Sequence, residues 1–207
     1  MLDELLRPVK ERVLLPTATA LGRRVHPMVV TLAAFAMGVG ASVAAARGAN
    51  GLGLVLWLAN RVLDGFDGTL ARAQRTQSDL GGYVDIVLDF VVYAAVPIGL
   101  VLGAPQADRA VLAVTALAMV ASFYVNAASW MYLAAILERR GAGAAARGEL
   151  TTVTMPRGLV GGTETIVLYA LYFAFPNLLV ALFVLSTALV LITVLQRLLW
   201  AVRCLPG

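Results

Sequence analysis

Long apolar segments constrain this chain more than any other feature. Six of them, each about 20 residues or longer, recur along the 207 residues. A helix of that length spans the roughly 30 Å hydrocarbon core of a bilayer. The composition agrees, since 60% of the residues are hydrophobic and only 14% are charged. The sequence therefore predicts an all-α integral membrane protein in which residues 1–207 form a single domain, and it excludes an ordinary soluble protein.

We predict six transmembrane helices that form a bundle over residues 27–203. Their expected ranges are 27–46, 51–72, 79–102, 110–137, 157–175 and 177–200. Before them, apolar residues recur at helical spacing among charged residues over residues 1–16. This pattern predicts an N-terminal amphipathic helix that lies in the membrane interface, and the alternative is a plain soluble helix.

The basic residues predict the orientation of the bundle. With six spans, both termini share a side with the loops after the second and fourth spans, and thirteen of the sixteen Lys and Arg residues fall on that side. Arg47 and Arg109 fall on the other side, and Arg61 lies within the membrane. Because cytoplasmic segments carry the excess of basic residues, we expect both termini in the cytoplasm.

Four aspartates lie inside segments that otherwise look membrane-spanning. Asp64 and Asp67 are three residues apart in the second span, and Asp85 and Asp89 are four apart in the third. On helices each pair shares one face. A charge at such a position costs roughly 3 kcal/mol and is normally retained for function.

The link between these two spans is short and polar, so we expect antiparallel helices that lie side by side with their aspartates facing each other. At about 1.5 Å per residue, Asp64, Asp85 and Asp89 lie roughly 9 to 15 Å below a cytoplasmic opening. Facing carboxylates repel unless cations lie between them, and ligands of this kind suit Mg²⁺, Mn²⁺ or Ca²⁺ rather than zinc. Gly68, Ala71 and Gly81 predict a gap between the helices, and Arg72 offers paired donors for a diphosphate.

The motif Asp-x-x-Asp-Gly-x-x-Ala-Arg, followed after eight residues by Gly-x-x-x-Asp-x-x-x-Asp, resembles the signature of the CDP-alcohol phosphotransferases. All eight signature positions are filled, by Asp64, Asp67, Gly68, Ala71, Arg72, Gly81, Asp85 and Asp89. In that family an alcohol splits a nucleotide-activated donor at its diphosphate, so that CMP leaves and a phosphodiester forms. The resemblance implies a multi-pass bacterial inner-membrane enzyme that works as a homodimer and has no nucleic-acid partner.

The resemblance also implies a role for each signature residue. One or two divalent ions, Mg²⁺ or Mn²⁺, would be held by Asp64, Asp67, Asp85 and Asp89. Of these, Asp89 would also be the general base that takes the proton of the attacking hydroxyl. The nucleotide and its diphosphate would be bound by Asp64, Asp67, Gly68, Ala71, Arg72 and Gly81.

The expected donor is CDP-diacylglycerol and the expected acceptor a small polar alcohol, as in most bacterial members. The alternative is an aminoalcohol phosphotransferase that takes CDP-choline or CDP-ethanolamine with diacylglycerol. Members that take inositol phosphate carry several basic residues near the start of the fifth span, whereas this chain has Gly-Gly-Thr-Glu-Thr at residues 161–165. We therefore expect Glu164 and the lone Arg157 to bind a neutral or amine-bearing alcohol. For Glu164, capping of the helix start is the alternative.

Two further interpretations concern the intramembrane charges. We expect Arg61, three residues before Asp64, to pair with it or with a neighbouring helix rather than with substrate. A cation channel or transporter would also place aspartates in the membrane, but it leaves the spacing of Arg72 and Gly81 unexplained. A catalytically silent relative is a further alternative.

Overall fold

The computed structural model describes residues 2–22, 24–143 and 158–205, with side chains from residue 12 onward. Within these ranges the chain is helical and contains no strand. The helices are α1 (Leu2–Leu21), α2 (Pro27–Ala46), α3 (Asn50–Gln74), α4 (Asp79–Gly103), α5 (Arg109–Arg139), α6 (Gly162–Ala174) and α7 (Leu179–Cys204). A 3₁₀ turn, Pro176–Leu178, leads into α7. The predicted ranges for α2 to α5 agree with the structure to within two residues.

Four of these helices are long and apolar enough to cross a membrane, namely α2, α4, α5 and the segment Pro176–Cys204 that contains α7. Helix α3 has 25 residues, but it carries Arg61, Asp64, Asp67 and Arg72, which lower its hydropathy. Helix α6 has 13 residues and is roughly 20 Å long, which is shorter than the bilayer core. The count of six spans therefore stays a prediction.

The two ends of the predicted architecture differ from the structure. Helix α1 continues through Pro16 to Leu21, five residues beyond its predicted end. Its last turns pack on the bundle, because Ala18 lies in a buried cluster with Val30 of α2 and Leu70 of α3. Helix α7 ends at Cys204, four residues later than predicted. The position of α1 in the membrane interface stays a prediction.

The fifth span begins later than predicted. Residues 158–161 are not helical, and α6 begins at Gly162 rather than near residue 157. The N–H of Val160 donates to Thr193 Oγ1 and the N–H of Leu159 donates to Gln196 Oε1, each at 2.9 Å. These α7 side chains satisfy the backbone of residues 158–161 and hold that segment outside the helix.

Helix α2 is the support on which α3 and α4 are placed. Each of them packs along α2, whereas α3 and α4 make little backbone contact with one another. A Cβ atom on Gly38 would lie 2.6 Å from a methyl group of Val92 on α4, and one on Gly99 would lie 2.2 Å from the Ser42 carbonyl oxygen. These glycines let α2 and α4 approach closely. The backbones of α3 and α4 therefore lie further apart than the expected side-by-side packing implies, although their side chains are in contact.

Aromatic rings from α3, α4 and α6 pack against one another as a column inside the bundle. Trp57 stacks on Tyr169 with ring centroids 5.0 Å apart, and Tyr93 lies edge-on to Trp57 at 5.8 Å and to Tyr169 at 5.3 Å. Hydrogen bonds fix the column, since Tyr169 donates to the Tyr93 carbonyl oxygen at 2.7 Å and Trp57 Nε1 to the Ile166 carbonyl oxygen at 3.2 Å. Helices α3, α4 and α6 are thereby locked together.

Candidate active site

Three of the four signature aspartates, Asp64, Asp85 and Asp89, line a small cleft between α2, α3 and α4. The contacts across the cleft show that α3 and α4 are antiparallel. Arg61 pairs with Asp89, whereas Asp64, one turn further along α3, lies within hydrogen-bond reach of Asp85, one turn earlier on α4. Side chains thus bridge the space that the backbones leave.

Asp67 is not among the residues that line the cleft. It is buried, and its Oδ2 accepts a hydrogen bond of 2.6 Å from the Thr31 hydroxyl of α2. It interacts electrostatically with Asp64, Asp85 and Asp89. The site therefore concentrates four carboxylates, and Thr31 orients the most deeply buried one.

Arg61 is the cation inside this cluster. Its Nη2 and Nη1 atoms donate to the two carboxylate oxygens of Asp89 at 2.7 and 3.2 Å, and Asp64 Oδ2 lies 3.7 Å from Nη1. Two charge-assisted hydrogen bonds in this arrangement are a strong and directional contact. The prediction of a pairing with Asp64 or with a neighbouring helix is therefore confirmed on both counts, with the shorter contact made to α4.

The remaining signature residues, Gly68, Ala71, Arg72 and Gly81, do not line the aspartate cleft. Gly68, Ala71 and Arg72 lie in the last turns of α3, and Gly81 lies in the first turn of α4, where its N–H donates to the Ser78 side chain at 3.1 Å. Arg72 Nη2 donates to Thr69 Oγ1 at 3.2 Å. The roles of all four residues in binding the nucleotide stay predictions.

Packing does not explain the glycine at position 68. A Cβ atom there would meet only the far end of the Arg72 side chain, at 3.4 Å. At Gly53 and Gly103, by contrast, a Cβ atom would lie 2.5 Å from Phe173 and 1.9 Å from the Ala45 carbonyl oxygen. A glycine that no neighbouring helix requires fits a surface that a bound group approaches closely.

The structure describes one of the two candidate acceptor residues. Arg157 lies outside the described residues. Glu164 lies in the first turn of α6, where its Oε2 accepts a hydrogen bond of 3.1 Å from the Gly161 N–H. This contact is the helix-start capping that the sequence offered as the alternative. Acceptor binding by Glu164 stays a prediction.

Arg197 on α7 is a functional candidate that the sequence reasoning missed. It is buried, and its Nη1 donates to the Asn126 side chain of α5. A Cβ atom on Gly158 would lie 3.4 Å from Arg197 Nη2, so this guanidinium lies directly beside the chain that leads into α6. Arg157 is the lone basic residue near the start of the fifth span in the sequence, but the fold brings Arg197 to the same segment. A phosphorylated acceptor remains among the alcohols to be tested.

Thr31, Asn60 and Tyr93 are further site residues that the sequence reasoning missed. Thr31 and Asn60 line the cleft, and Tyr93 contacts Arg61 through its hydroxyl group at 3.0 Å. Thr31 and Asn60 are polar side chains inside apolar segments, which is a signal for a contact within a membrane bundle. Their partners, however, lie on other helices and cannot be read from local spacing.

The donor chemistry of the cluster fits a hard divalent cation, since it offers carboxylate oxygens and no sulfur or nitrogen ligand. Asp64 and Asp85 lie within hydrogen-bond reach of each other, and two ionised carboxylates in contact need a cation or a shared proton. Within the described ranges, no three Asp, Glu, His or Cys side chains stand as a finished metal-binding group. The Asp89 carboxylate faces Arg61, and that of Asp67 faces Thr31.

Comparison with protein families gives one assignment for this chain. The CDP-alcohol phosphatidyltransferase family model matches residues 24–201, which include all eight signature positions. The chain belongs to this family. It is accordingly an enzyme of the CDP-alcohol phosphotransferase class.

Two curated relatives of this family member differ in how much they share with it. The inner membrane protein YnjF of Escherichia coli is 36% identical over 177 residues, which cover 85% of this chain and 83% of that protein. The bifunctional IPC transferase and DIPP synthase of Thermococcus kodakarensis is 36% identical over 83 residues, which cover 40% of this chain but only 19% of that protein. The second likeness concerns a small part of a much longer chain.

Solved structures of the phosphatidylinositol phosphate synthase PgsA1 of Mycobacterium tuberculosis share the fold. The structure with CDP-DAG bound has a TM-score of 0.69, 22% identity, and coverage of 90% of this chain and 92% of that chain. The complex with manganese and citrate has a TM-score of 0.67, 21% identity, and coverage of 88% and 86%. At these identities the likeness establishes the architecture of the family member described here.

Proposed function

We propose that this protein transfers a phosphatidyl group from CDP-diacylglycerol to a small polar alcohol and releases CMP, with the help of a divalent cation. The observation that carries the proposal is the cleft lined by Asp64, Asp85 and Asp89, with the buried Asp67 hydrogen-bonded to Thr31, which also lines it. Membership of the family supports the reaction class. The related PgsA1 was solved once with CDP-DAG and once with manganese, which supports the donor and the metal.

The reaction forms one P–O bond and breaks another at the phosphorus of the phosphatidyl group. The hydroxyl oxygen of the alcohol forms the new P–O bond, the P–O bond to CMP breaks, and CMP leaves with the electron pair. Asp89 takes the hydroxyl proton while the new bond forms. Its carboxylate lines the cleft, and Arg61 fixes its orientation by two hydrogen bonds. The product is a phosphodiester.

A divalent ion at this site, Mg²⁺ or Mn²⁺, would neutralise the diphosphate and so make CMP a better leaving group. Asp64, Asp67 and Asp85 would hold it, and Asp89 lies close enough to share in this. The last turns of α3, with Gly68, Ala71 and Arg72, would bind the cytidine and the diphosphate together with Gly81 of α4. The open approach to Gly68 supports this placement.

The acceptor site lies where α6 begins. Glu164 is positioned there by its contact with the Gly161 backbone, and we propose that it and Arg157 take part in binding the alcohol. Arg197 borders the same segment, so both amine-bearing and phosphorylated alcohols are reasonable acceptors. The second candidate reaction is transfer from CDP-choline or CDP-ethanolamine to diacylglycerol.

For its setting, we propose a multi-pass bacterial inner-membrane homodimer in which α3 and α6 join the four apolar helices to give six spans, with both termini and the cleft opening on the cytoplasmic side. The relative YnjF is an inner membrane protein. The excess of arginine at the termini and at the loops on their side supports the orientation.

Metal-dependent binding of a cytidine nucleotide tests this function against a cation transporter. Isothermal titration of the purified protein with CDP-diacylglycerol should show binding in Mn²⁺, loss of binding in EDTA, and recovery when Mn²⁺ is restored. Asp85→Asn should bind poorly in either condition. A protein that transports cations has no use for the nucleotide, so Mn²⁺ binding without any CDP-diacylglycerol binding would contradict the proposal.

A further inference from the structure

Helix α4 contains a proline one turn beyond Tyr93. Pro97 lies inside the helix, and because proline has no N–H, it cannot donate to the Tyr93 carbonyl oxygen four residues earlier. The hydroxyl group of Tyr169, on α6, donates to that same carbonyl oxygen at 2.7 Å. A side chain of a neighbouring helix therefore supplies the hydrogen bond that the α4 backbone cannot make at this position.

Two hydrogen bonds between a side chain and a backbone carbonyl oxygen hold α6 against the other helices of the site. Trp57 Nε1 of α3 donates to the Ile166 carbonyl oxygen at 3.2 Å, while Tyr169 reaches from α6 to α4. The Tyr169 ring, which is 1% exposed, stacks on Trp57 with centroids 5.0 Å apart. Because the two hydrogen bonds join α6 to different helices, together they fix its position along its axis and its rotation about it.

The residues that hold α6 also contact the guanidinium group of Arg61. Its Nη1 donates to the Tyr93 hydroxyl at 3.0 Å, and its carbon lies 4.8 Å from the Trp57 ring centroid, which is a cation–π distance. Nη2 of the same guanidinium donates to Asp89 at 2.7 Å. Helix α6 and one carboxylate of the cleft are thus placed against a common set of side chains, which ties the position of α6 to that of the cleft.

The start of α6 is the segment where we place the alcohol. Glu164 lies in its first turn, and Ile166 and Tyr169 follow two and five residues later. A helix of 13 residues moves as one rigid piece, so a shift at Tyr169 displaces the first turn by a similar distance. A misplacement of about 1 Å can lower the rate of an enzyme reaction by about two orders of magnitude.

Tyr172, nearly one turn further along α6, offers a comparison within the same helix. It is also buried, but its hydroxyl group pairs with Ser186 Oγ of α7 and lies 3.4 Å from Met119 Sδ of α5. These contacts join α6 to α5 and α7 rather than to α3 and α4. Loss of the Tyr172 hydroxyl should therefore lower stability without moving α6 relative to the cleft.

We propose that Tyr169 is a positioning residue that aligns the start of α6, and with it the bound alcohol, with the aspartate cleft. It acts through the backbone of Tyr93. Pro97 is part of the same arrangement, because its missing N–H leaves the Tyr93 carbonyl oxygen open to the Tyr169 hydroxyl. This inference rests on the proposed function and deepens its account of the acceptor site.

Steady-state release of CMP from CDP-diacylglycerol in Mn²⁺ tests the proposal, with glycerol, glycerol 3-phosphate, serine, ethanolamine, inositol or inositol phosphate as the alcohol. Tyr169→Phe keeps the ring and removes only the hydroxyl group. It should lower kcat/KM for the active alcohol by about tenfold and leave the KM for CDP-diacylglycerol unchanged. Tyr172→Phe is the matched control and should leave both values unchanged, although its melting temperature should also fall.

Pro97→Ala separates positioning of α6 from the need of the Tyr93 carbonyl oxygen for a donor. The alanine N–H can donate to that oxygen, so Tyr169→Phe should lower the melting temperature by about 3–8 °C in the unaltered background and by much less in the Pro97→Ala background. The loss of kcat/KM for the alcohol, measured against each parent, should persist in both backgrounds. A backbone N–H within α4 does not connect that helix to α6.

Recovery of kcat/KM together with the melting temperature in the double variant would overturn the proposal, because Tyr169 would then serve only to satisfy a carbonyl oxygen. An equal fall in melting temperature in both backgrounds, an unchanged kcat/KM in Tyr169→Phe, or an equal loss of kcat/KM in Tyr172→Phe would also overturn it and leave the proposed function standing. The comparison of Tyr169→Phe with Tyr172→Phe does not require Pro97→Ala to fold. If the unaltered protein released no CMP with any of these alcohols, the proposed function and this inference would both fall.

Discussion

Thr31 of α2 donates a hydrogen bond of 2.6 Å to Asp67 of α3 inside the helix bundle. Both residues are buried, with 8% and 5% of their surfaces exposed. A buried carboxylate is tolerated only where a donor or a cation compensates it. Helix α2 carries no signature residue, and yet it fixes the orientation of one of the four carboxylates.

Replacing Thr31 by Val should therefore affect both stability and activity. The substitution nearly preserves the shape of the side chain but removes the hydroxyl that donates to the buried Asp67, which should destabilise the protein by about 1–3 kcal/mol. The measurement is the melting temperature in detergent, together with the rate of CMP release. Thr115→Val is the matched control, because the half-buried Thr115 hydroxyl donates to carbonyl oxygens of its own helix, those of Val111 and Leu112. Equal melting temperatures for the two variants would contradict this role of Thr31.

Replacement by alanine should lower stability at Gly38 and weaken nucleotide binding at Gly68. At Gly38 the added methyl group would lie 2.6 Å from Val92, which should lower stability by about 1–3 kcal/mol through overpacking. At Gly68 it would meet only the flexible end of Arg72, so the fold should persist while nucleotide binding weakens. Melting temperature and affinity for CDP-diacylglycerol, measured on both variants, separate the two effects. Full affinity in Gly68→Ala would remove this glycine from the binding surface.

Glu164→Gln separates the capping contact from the charge of this side chain. Glutamine accepts the same hydrogen bond from the Gly161 N–H, so the melting temperature should not change. If the carboxylate binds an amine-bearing acceptor, loss of its charge should raise the KM for that acceptor by about tenfold. The KM for CDP-diacylglycerol serves as the internal control. An unchanged acceptor KM would leave Glu164 as a cap alone.

The sequence predicted the helices well because their signals are local. Runs of apolar residues bounded by polar turns locate α2 to α5, and the spacing of Asp64, Asp67, Asp85 and Asp89 places them on facing helices. The start of α6 was missed because its cause is not local. The N–H groups of Val160 and Leu159 donate to Thr193 and Gln196 of α7, respectively. These acceptors lie more than 30 residues away in sequence.

The site was predictable in its residues but not in its internal pairing. Sequence spacing suggests Asp64 as the natural partner of Arg61, since the two lie one helical turn apart. In the structure the shorter contact joins Arg61 to Asp89, 28 residues further on. That pairing depends on the distance at which α2 holds α3 and α4, and this distance is set by glycines such as Gly38 and Gly99. These distances between helices are a tertiary feature and produce no periodic pattern in the sequence.

The most direct test of the central claim is acceptor-dependent release of CMP from CDP-diacylglycerol by the purified protein in Mn²⁺ or Mg²⁺. The acceptors are glycerol, glycerol 3-phosphate, serine, ethanolamine, inositol and inositol phosphate, with Asp89→Asn as the control. We predict CMP release with one of these alcohols, and its loss in EDTA and in Asp89→Asn. The contrary result is no CMP release from CDP-diacylglycerol with any of these alcohols, together with CMP release from CDP-choline or CDP-ethanolamine in the presence of diacylglycerol. That result would contradict phosphatidyl transfer and establish the aminoalcohol reaction instead.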